Sequence, residues 1–459
     1  MSARKPGYSG AIAVDLPRRA AYDVLHEIGA SDAYANVALS HVLKDYHLDQ
    51  RDAGFVTDLV NGSLRYRLTL DTIIARSLNR TLESLDPRVL DVLRMGAYQL
   101  LIMQTDPYAA VDTCVSLVAS VAGDGPKGLV NAVLRKLSAQ PLHVWLERVA
   151  PDAGEDPDGF LSVTHSYPRW IVSALRDSLG RQRAAELPAL LAASNEPPKV
   201  TLVARPGRST VDELIAEGAV PGRWSPLAAI APAGNIGHLA AVREGRAGAQ
   251  DEGSQLVTLA LAGAAVDGKD TSWVELCAGP GGKIALLAGL AAQRGGSVTG
   301  VELHEHRARL IEQIAGGSPG FAGVIVGDAR EPLIEPGVDR VLVDAPCTGL
   351  GVLRRRPEIR WRRQPSDIPQ LAKLQTGLLN AAIDITRPGG VIGYATCSPH
   401  LAETDFVVGD VMRKRSDVVV EDARELFTGV TGLGDGPFVR LWPHSHGTDG
   451  MFFALLRRS

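Results

Sequence analysis

Between residues 273 and 397, short apolar runs alternate with amphipathic stretches, and few folds accept that pattern. The runs at 273–277, 297–303, 323–328, 340–345 and 390–397 have strand length and end in glycine, proline or polar residues. The stretches at 283–293, 305–315 and 367–386 carry helical spacing. Strand–helix alternation of this kind predicts an open, mostly parallel α/β sheet covered by helices on both faces. Two later runs, 438–442 and 451–456, are expected to pair at an edge of the same sheet.

The N-terminal part follows a different period. Over 17–140 apolar residues recur at helical spacing, as in Ala20, Ala21, Val24, Leu25 and Ile28. Asp49 reads as an N-cap, and Asp86-Pro87 as a capping side chain followed by a proline whose missing N–H costs nothing at a helix start. An all-α bundle is predicted. Residues 141–160, where Pro151, Gly154, Pro157 and Gly159 stand among acids, read as a linker too polar to pack. A strand at 199–205 and a helix at 211–217 suggest a small α/β module, closed by the Gly- and charge-rich stretch 243–253. The expected domains are 1–145, 161–250 and 251–459.

A formal charge of −4 excludes a uniformly basic nucleic-acid binder but leaves room for a local patch. No apolar run is long enough to span a bilayer, and no hydrophobic signal region follows the first charges, so a cytoplasmic location is expected. Of the four cysteines, no two lie at CxxC spacing, which predicts neither a zinc site nor a disulfide framework. Cys114, on a helix, reads as core.

After the first strand comes Glu275-Leu-Cys277-Ala278-Gly279-Pro280-Gly281-Gly282-Lys283. Its glycines let the backbone turn sharply and approach a ligand at a helix start. The spacing fits neither GxGxxG nor a P-loop. The second strand ends at Glu302 and the third at Asp328, acids suited to ribose hydroxyls, so an adenosine-type ligand is expected at this edge. With Lys283 but no basic cluster to hold phosphates, a cationic nucleoside such as S-adenosylmethionine fits better than a dinucleotide.

The fourth and fifth strands stop at Cys347 and Cys397. A thiolate beside a methyl donor suits a carbon that needs activation, such as C5 of cytosine after thiolate attack on C6. Asp344 is placed to hydrogen-bond the N3/N4 edge of that base. Next to Cys347, Arg354, Arg355, Arg356, Arg360, Arg362 and Arg363 face a single glutamate, and the run reads as a phosphate clamp for RNA. A base that reaches a sheet edge must leave its stack, which favours loops or single strands.

These motifs, with Tyr394-Ala-Thr-Cys-Ser398 and Trp442-Pro-His-Ser-His-Gly-Thr-Asp-Gly-Met-Phe-Phe-Ala454, resemble the RNA cytosine-C5 methyltransferases. Thr57-Asp-Leu-Val-Asn-Gly-Ser-Leu-Arg65 and Lys127-Gly-Leu-Val-Asn-Ala-Val-Leu-Arg135 resemble the NusB family of RNA-binding helical domains. Together they narrow the likeness to the RsmB (Sun/Fmu) type, which modifies bacterial 16S ribosomal RNA. The resemblance implies a NusB-like bundle, a linking module and a Rossmann-like methyltransferase domain, acting as a metal-free monomer. It implies Cys397 as nucleophile and Cys347 as the residue that releases product. It implies Cys277 to Lys283, Glu302, Asp328 and Asp344 as the S-adenosylmethionine site. Transfer RNA as substrate, DNA as substrate, and a non-catalytic RNA-binding assembly role stay open on the residues alone.

Overall fold

The computed structural model describes residues 14–31 and 34–459; the N-terminal stretch read above for targeting lies outside them. Two compact units emerge: the described residues up to Val172 with Arg356–Glu358, and Ser173–Arg355 with Ile359–Ser459.

The first unit is helical. Leu16–Ser31, Ala35–Asp45, Gln50–Arg65, Arg67–Ser77, Pro87–Leu101, Pro107–Ala122 and Lys127–Ser138 wrap one core that includes Leu59, Ile73, Val92, Leu93, Val118 and Leu134. Burying each such side chain stabilises the bundle by about 1.5–3 kcal/mol. The predicted caps are in place: Asp49 accepts from the Asp52 amide at 2.8 Å and Asp86 from the Arg88 amide at 2.9 Å. The stretch expected to be an unpacked linker instead holds helices Leu142–Val149 and Pro157–His165. Trp145 drives the first, buried with its indole N–H on the Leu137 carbonyl at 3.1 Å. Asp156 caps the second through the Gly159 amide at 3.0 Å. The polar residues are turns between these helices and do not make the segment a tether.

The second unit contains two sheets. β1 (Thr201–Ala204), β2 (Val220–Pro221), β3 (Ala228–Ile230) and β4 (Ala247–Ala249) form a small antiparallel sheet in the order β2-β3-β1-β4, over a core that includes Leu202, Leu214 and Ala229. The large sheet is built from β5 (Ser272–Leu276), β6 (Ser297–Glu302), β7 (Phe321–Val326), β8 (Val338–Asp344), β9 (Thr386–Thr396), β10 (Val418–Glu421), β11 (Val439–Leu441) and β12 (Met451–Arg458). Its order is β10-β12-β9-β8-β5-β6-β7, with β11 on β12. β5 to β9 are parallel, and β12 is antiparallel to β9, β10 and β11. Helices Gly282–Ala292, Glu305–Ala315 and Ile368–Ile385 supply the crossovers. The two late runs do pair with each other as β11 and β12, but the expected edge position of 451–456 is corrected: β12 lies inside the sheet, with β11 and β10, the latter unread in the sequence, on its outer side. The reason is visible in β12 itself, where Met451 to Leu456 are all buried, as a strand covered on both faces must be.

Candidate functional site

The strand order reverses between β5 and β8, so the loops leaving their carboxyl ends diverge and open a crevice. The turn after β5 is shaped by its backbone. Cys277 has φ +61° and Gly281 φ +120°, and helix Gly282–Ala292 starts immediately afterwards. A Cβ on Gly281 would sit 3.1 Å from the Ile311 Cα, so a side chain is excluded by space as well as by dihedral. The Ala278 amide donates to the Val301 carbonyl at 3.0 Å, and the Gly279 amide to Glu302 Oε2 at 3.1 Å. Glu302, buried at the end of β6, also takes the His304 amide on Oε1 at 3.1 Å, while Arg307 donates to the Gly279 carbonyl at 2.7 Å. The turn after β5 and the end of β6 are thus one hydrogen-bonded unit.

Lys283, at the first turn of that helix, donates to Asp344 Oδ2 at 2.8 Å. Burial alone would lower the lysine, but the Asp344 charge and the hydrogen bond to it outweigh that and hold its ammonium above the ordinary value. Glu275 lies fully inside β5 with Oε2 unpartnered; burial, then the Asp344 charge, pushes its carboxyl well above the usual range. Burial and then Asp344 also push the Cys277 thiol up, which leaves it a poor nucleophile. Asp328 stands apart: its carboxylate accepts from the Arg330 amide at 2.9 Å and from the same residue's guanidinium, on the exposed end beyond β7.

Cys347 and Cys397, fifty residues apart, bring their sulfur atoms to 3.3 Å. They follow β8 and β9, which pair through Asp344 and Ala395. The bond to Cys397, then burial, with the Cys397 and Glu403 charges adding, raises the Cys347 thiol well above its ordinary value. Glu403 ties the two loops together. Its Oε1 accepts from the Thr348 amide at 2.7 Å and from Gln375 at 3.1 Å; its Oε2 accepts from the Thr348 hydroxyl at 2.5 Å and the Ser398 hydroxyl at 2.6 Å. Gln375 also donates to the Pro346 carbonyl at 2.8 Å. Behind them, the Gly351 amide donates to the Cys397 carbonyl at 2.9 Å. A Cβ on Gly351 would meet the Gly450 carbonyl oxygen at 1.9 Å, so only glycine lets the loops close on each other.

Residues 264–457 match the family model described as 16S rRNA methyltransferase RsmB/F, and 15–139 match the NusB family. A probable ribosomal RNA small subunit methyltransferase B of Bacillus subtilis is 30% identical over 96% of this chain and 98% of its own. The chain belongs to the RsmB/F family of methyltransferases. A putative methyltransferase of Mycobacterium tuberculosis is 51% identical to this RsmB/F protein, over 97% of each chain. The crystal structure of PH0851 superposes with a TM-score of 0.77 at 22% identity, covering 97% of this chain and all of its own, and so shares the fold. The NusB-like bundle and the Rossmann-like methyltransferase portion implied by the motifs are both present.

The arginine run of this RsmB/F protein needs correction. Arg354 is buried, bonded to Asp449 at 2.5 Å and Asp251 at 2.8 Å, and Arg355 reaches the same two carboxylates at 2.7 Å each. Arg360 is 1% exposed and donates to the Ser194 carbonyl at 3.1 Å. Arg354 and Arg360 are thus held inside the unit and half-buried Arg355 is tied to the same two acids as Arg354, so these three are engaged within the protein and do not read as a free phosphate clamp. Arg356 is exposed, Arg362 is half-buried, and half-buried Arg363 donates to the Cys347 and Thr348 carbonyls at 3.4 and 3.3 Å. Sequence reading missed the roles of Glu403, Gln375 and the buried Glu275. The one available signal for Glu403 was its position six residues after Cys397.

Proposed function

We propose that this protein methylates C5 of a cytosine in 16S ribosomal RNA, using S-adenosylmethionine and a covalent adduct on Cys397. The observation that carries the reading is the pair of thiols 3.3 Å apart at the carboxyl ends of adjacent parallel strands. Two cysteines in one crevice can divide attack and release between them. The 3.3 Å contact lets either sulfur donate to the other, so one proton shared between them leaves one sulfur free to act as thiolate, and the family likeness gives that role to Cys397. The Cys397 thiolate adds to ring C6, C5 becomes enamine-like, and after transfer a base takes the C5 proton as the C6–sulfur bond breaks. Cys347 assists that release.

The donor set fits S-adenosylmethionine, which when bound supplies the electrophilic methyl group. Each Glu302 oxygen keeps acceptor capacity for ribose hydroxyls beyond its amide bonds. Both cations described beside the turn are paired, Lys283 with Asp344 at 2.8 Å and Arg307 with Glu302 at 3.5 Å, which suits a ligand without phosphates. Cys277 to Gly282 form the close-approach surface, and Asp328 is the outermost candidate. The name of the Bacillus subtilis relative favours small-subunit ribosomal RNA over transfer RNA. Arg356, Arg362 and Arg363 remain the RNA-contacting candidates of the run, with the NusB-like residues 1–145 and the small module at 161–250 as further RNA-facing parts.

The test is adduct trapping with 16S RNA. Cys397→Ala abolishes methyl transfer, and Cys347→Ala accumulates a covalent protein–RNA band on a denaturing gel. A fully active Cys397→Ala with no band for Cys347→Ala would overturn the assignment. Bisulfite sequencing of ribosomal and transfer RNA from a strain lacking the protein identifies the substrate.

A further inference from the structure

A cavity of about 480 Å³ opens in the second unit, walled on one side by residues 174–184 and on the other by the loop that follows Cys397. The second wall belongs to the thiol loop itself. His400 lies three residues past Cys397 and its amide donates to the Ser398 hydroxyl at 3.3 Å, the hydroxyl that Glu403 holds at 2.6 Å. The Ala402 amide donates in turn to His400 Nδ1 at 3.1 Å, so the imidazole presents Nε2–H as a donor. Burial lowers the His400 pKa, which keeps that ring neutral.

The lining has a mixed chemistry. Phe406 is 61% exposed at the rim, a large ring left in water by the fold. Arg181 is exposed and Arg176 half-buried, against Asp177 as the only acid among the described lining residues, a local excess of positive charge in a chain of net −4. A flat apolar ring, two guanidiniums and a neutral donor, in a volume of small-ligand size, match a nucleobase with its phosphate. They do not match a further adenosine cofactor, whose candidate groups line the turn after β5.

We propose that this cavity receives the nucleotide next to the target cytosine, its base against Phe406 and its phosphate on Arg181 and Arg176. The inference rests on the RNA-methylating reading and deepens it. His400 on the wall is three residues from Cys397, so their Cα atoms are at most about 11 Å apart, which is the basis for placing a neighbouring nucleotide here. Occupancy would then hold the strand while the flipped base is attacked.

The full-length protein is assayed with a 16S RNA fragment and labelled S-adenosylmethionine. Phe406→Ala and Arg181→Glu are each expected to raise the KM for RNA about tenfold, the order expected for losing one stacking platform or phosphate contact. The kcat at saturating RNA and the affinity for S-adenosylmethionine stay within about twofold, Phe406→Trp restores the KM, and the exposed Arg309→Glu on helix Glu305–Ala315 changes nothing. 4-Thiouridine placed on either side of the target cytosine cross-links to the peptide spanning 400–406. Unchanged KM in both variants, with no cross-link there, overturns the proposal, including the case where the variants instead lose a protein partner. Failure of the underlying reading is seen separately, as wild-type protein that methylates no RNA cytosine.

Discussion

Removing the Glu403 carboxylate is the most informative single perturbation of this molecule. Four donors converge on it, and the cost of Glu403→Ala follows from what each can do afterwards. Gln375 keeps the Pro346 carbonyl at 2.8 Å and loses little. The Thr348 and Ser398 hydroxyls lie 3.0 Å apart and can pair with each other, which leaves one hydroxyl hydrogen without an acceptor. The Thr348 amide has no substitute. Two buried donors left unpaired cost about 1–3 kcal/mol each, so about 2–6 kcal/mol in all. For a unit of this size that lowers the unfolding midpoint by about 5–15 °C. Glu403→Gln keeps an oxygen for the Thr348 amide and lets both hydroxyls turn to accept from the new NH₂, and is expected to cost about 1 kcal/mol. Thermal and urea unfolding followed by circular dichroism give both numbers. An alanine variant that melts within about 2 °C of wild type would refute the claim that Glu403 holds the two thiol loops in register.

Other consequences can be measured independently. Glu275 carries a raised carboxyl pKa, so the folded chain keeps a proton that the unfolded chain sheds; that stabilisation is complete below the ordinary value of 4.5 and is lost as pH rises toward the folded value. The melting temperature of Glu275→Gln relative to wild type should therefore climb as pH rises above the ordinary carboxylate range, and a flat difference argues against a buried neutral acid. Arg354→Met leaves Asp251 and Asp449 with Arg355 alone, and should destabilise the unit by about 3–5 kcal/mol while the salt dependence of RNA binding stays unchanged. A folded Arg354→Met with a shallower salt slope would return this residue to the phosphates. Gly281→Ala forces a side chain into φ +120° beside Ile311, and calorimetry should show S-adenosylmethionine binding weakened about tenfold; unchanged binding would mean that the turn does not carry the ligand.

The periodic parts of the chain were legible because burial writes its period directly. The five parallel strands and their crossover helices start and stop within a few residues of where the apolar runs do, and Asp49 and Asp86 cap helices as their side chains dictate. Three errors share a cause. The segment around Pro151 reads as a tether until Trp145 is given something to bury against, which is tertiary information. β10, with Val419 half exposed, is only four residues long and carries too little pattern to separate from a loop. The arginine run is cationic in sequence but partly neutral in space, because Asp251 and Asp449 come from far along the chain to meet Arg354 and Arg355. Composition counts charges and does not say which are already paired. The two cysteines were visible as residues at strand ends, whereas Glu403 acquires a role only once the loops are brought together.

The interior position of β12 bears on how the enzyme is made. Its residues Phe452 to Arg457 pair with β9 along Val391 to Thr396, directly behind the nucleophile candidate. During synthesis every strand that β12 joins emerges before it, so the edge of β9 opposite β8, largely apolar over Val391 to Ala395, waits unpaired through the translation of the fifty-odd residues between Cys397 and Met451. Over that interval the nascent chain exposes the kind of strand that recruits foreign strands. A slow ribosome or a premature stop in this region should produce aggregation in place of a partly active fragment.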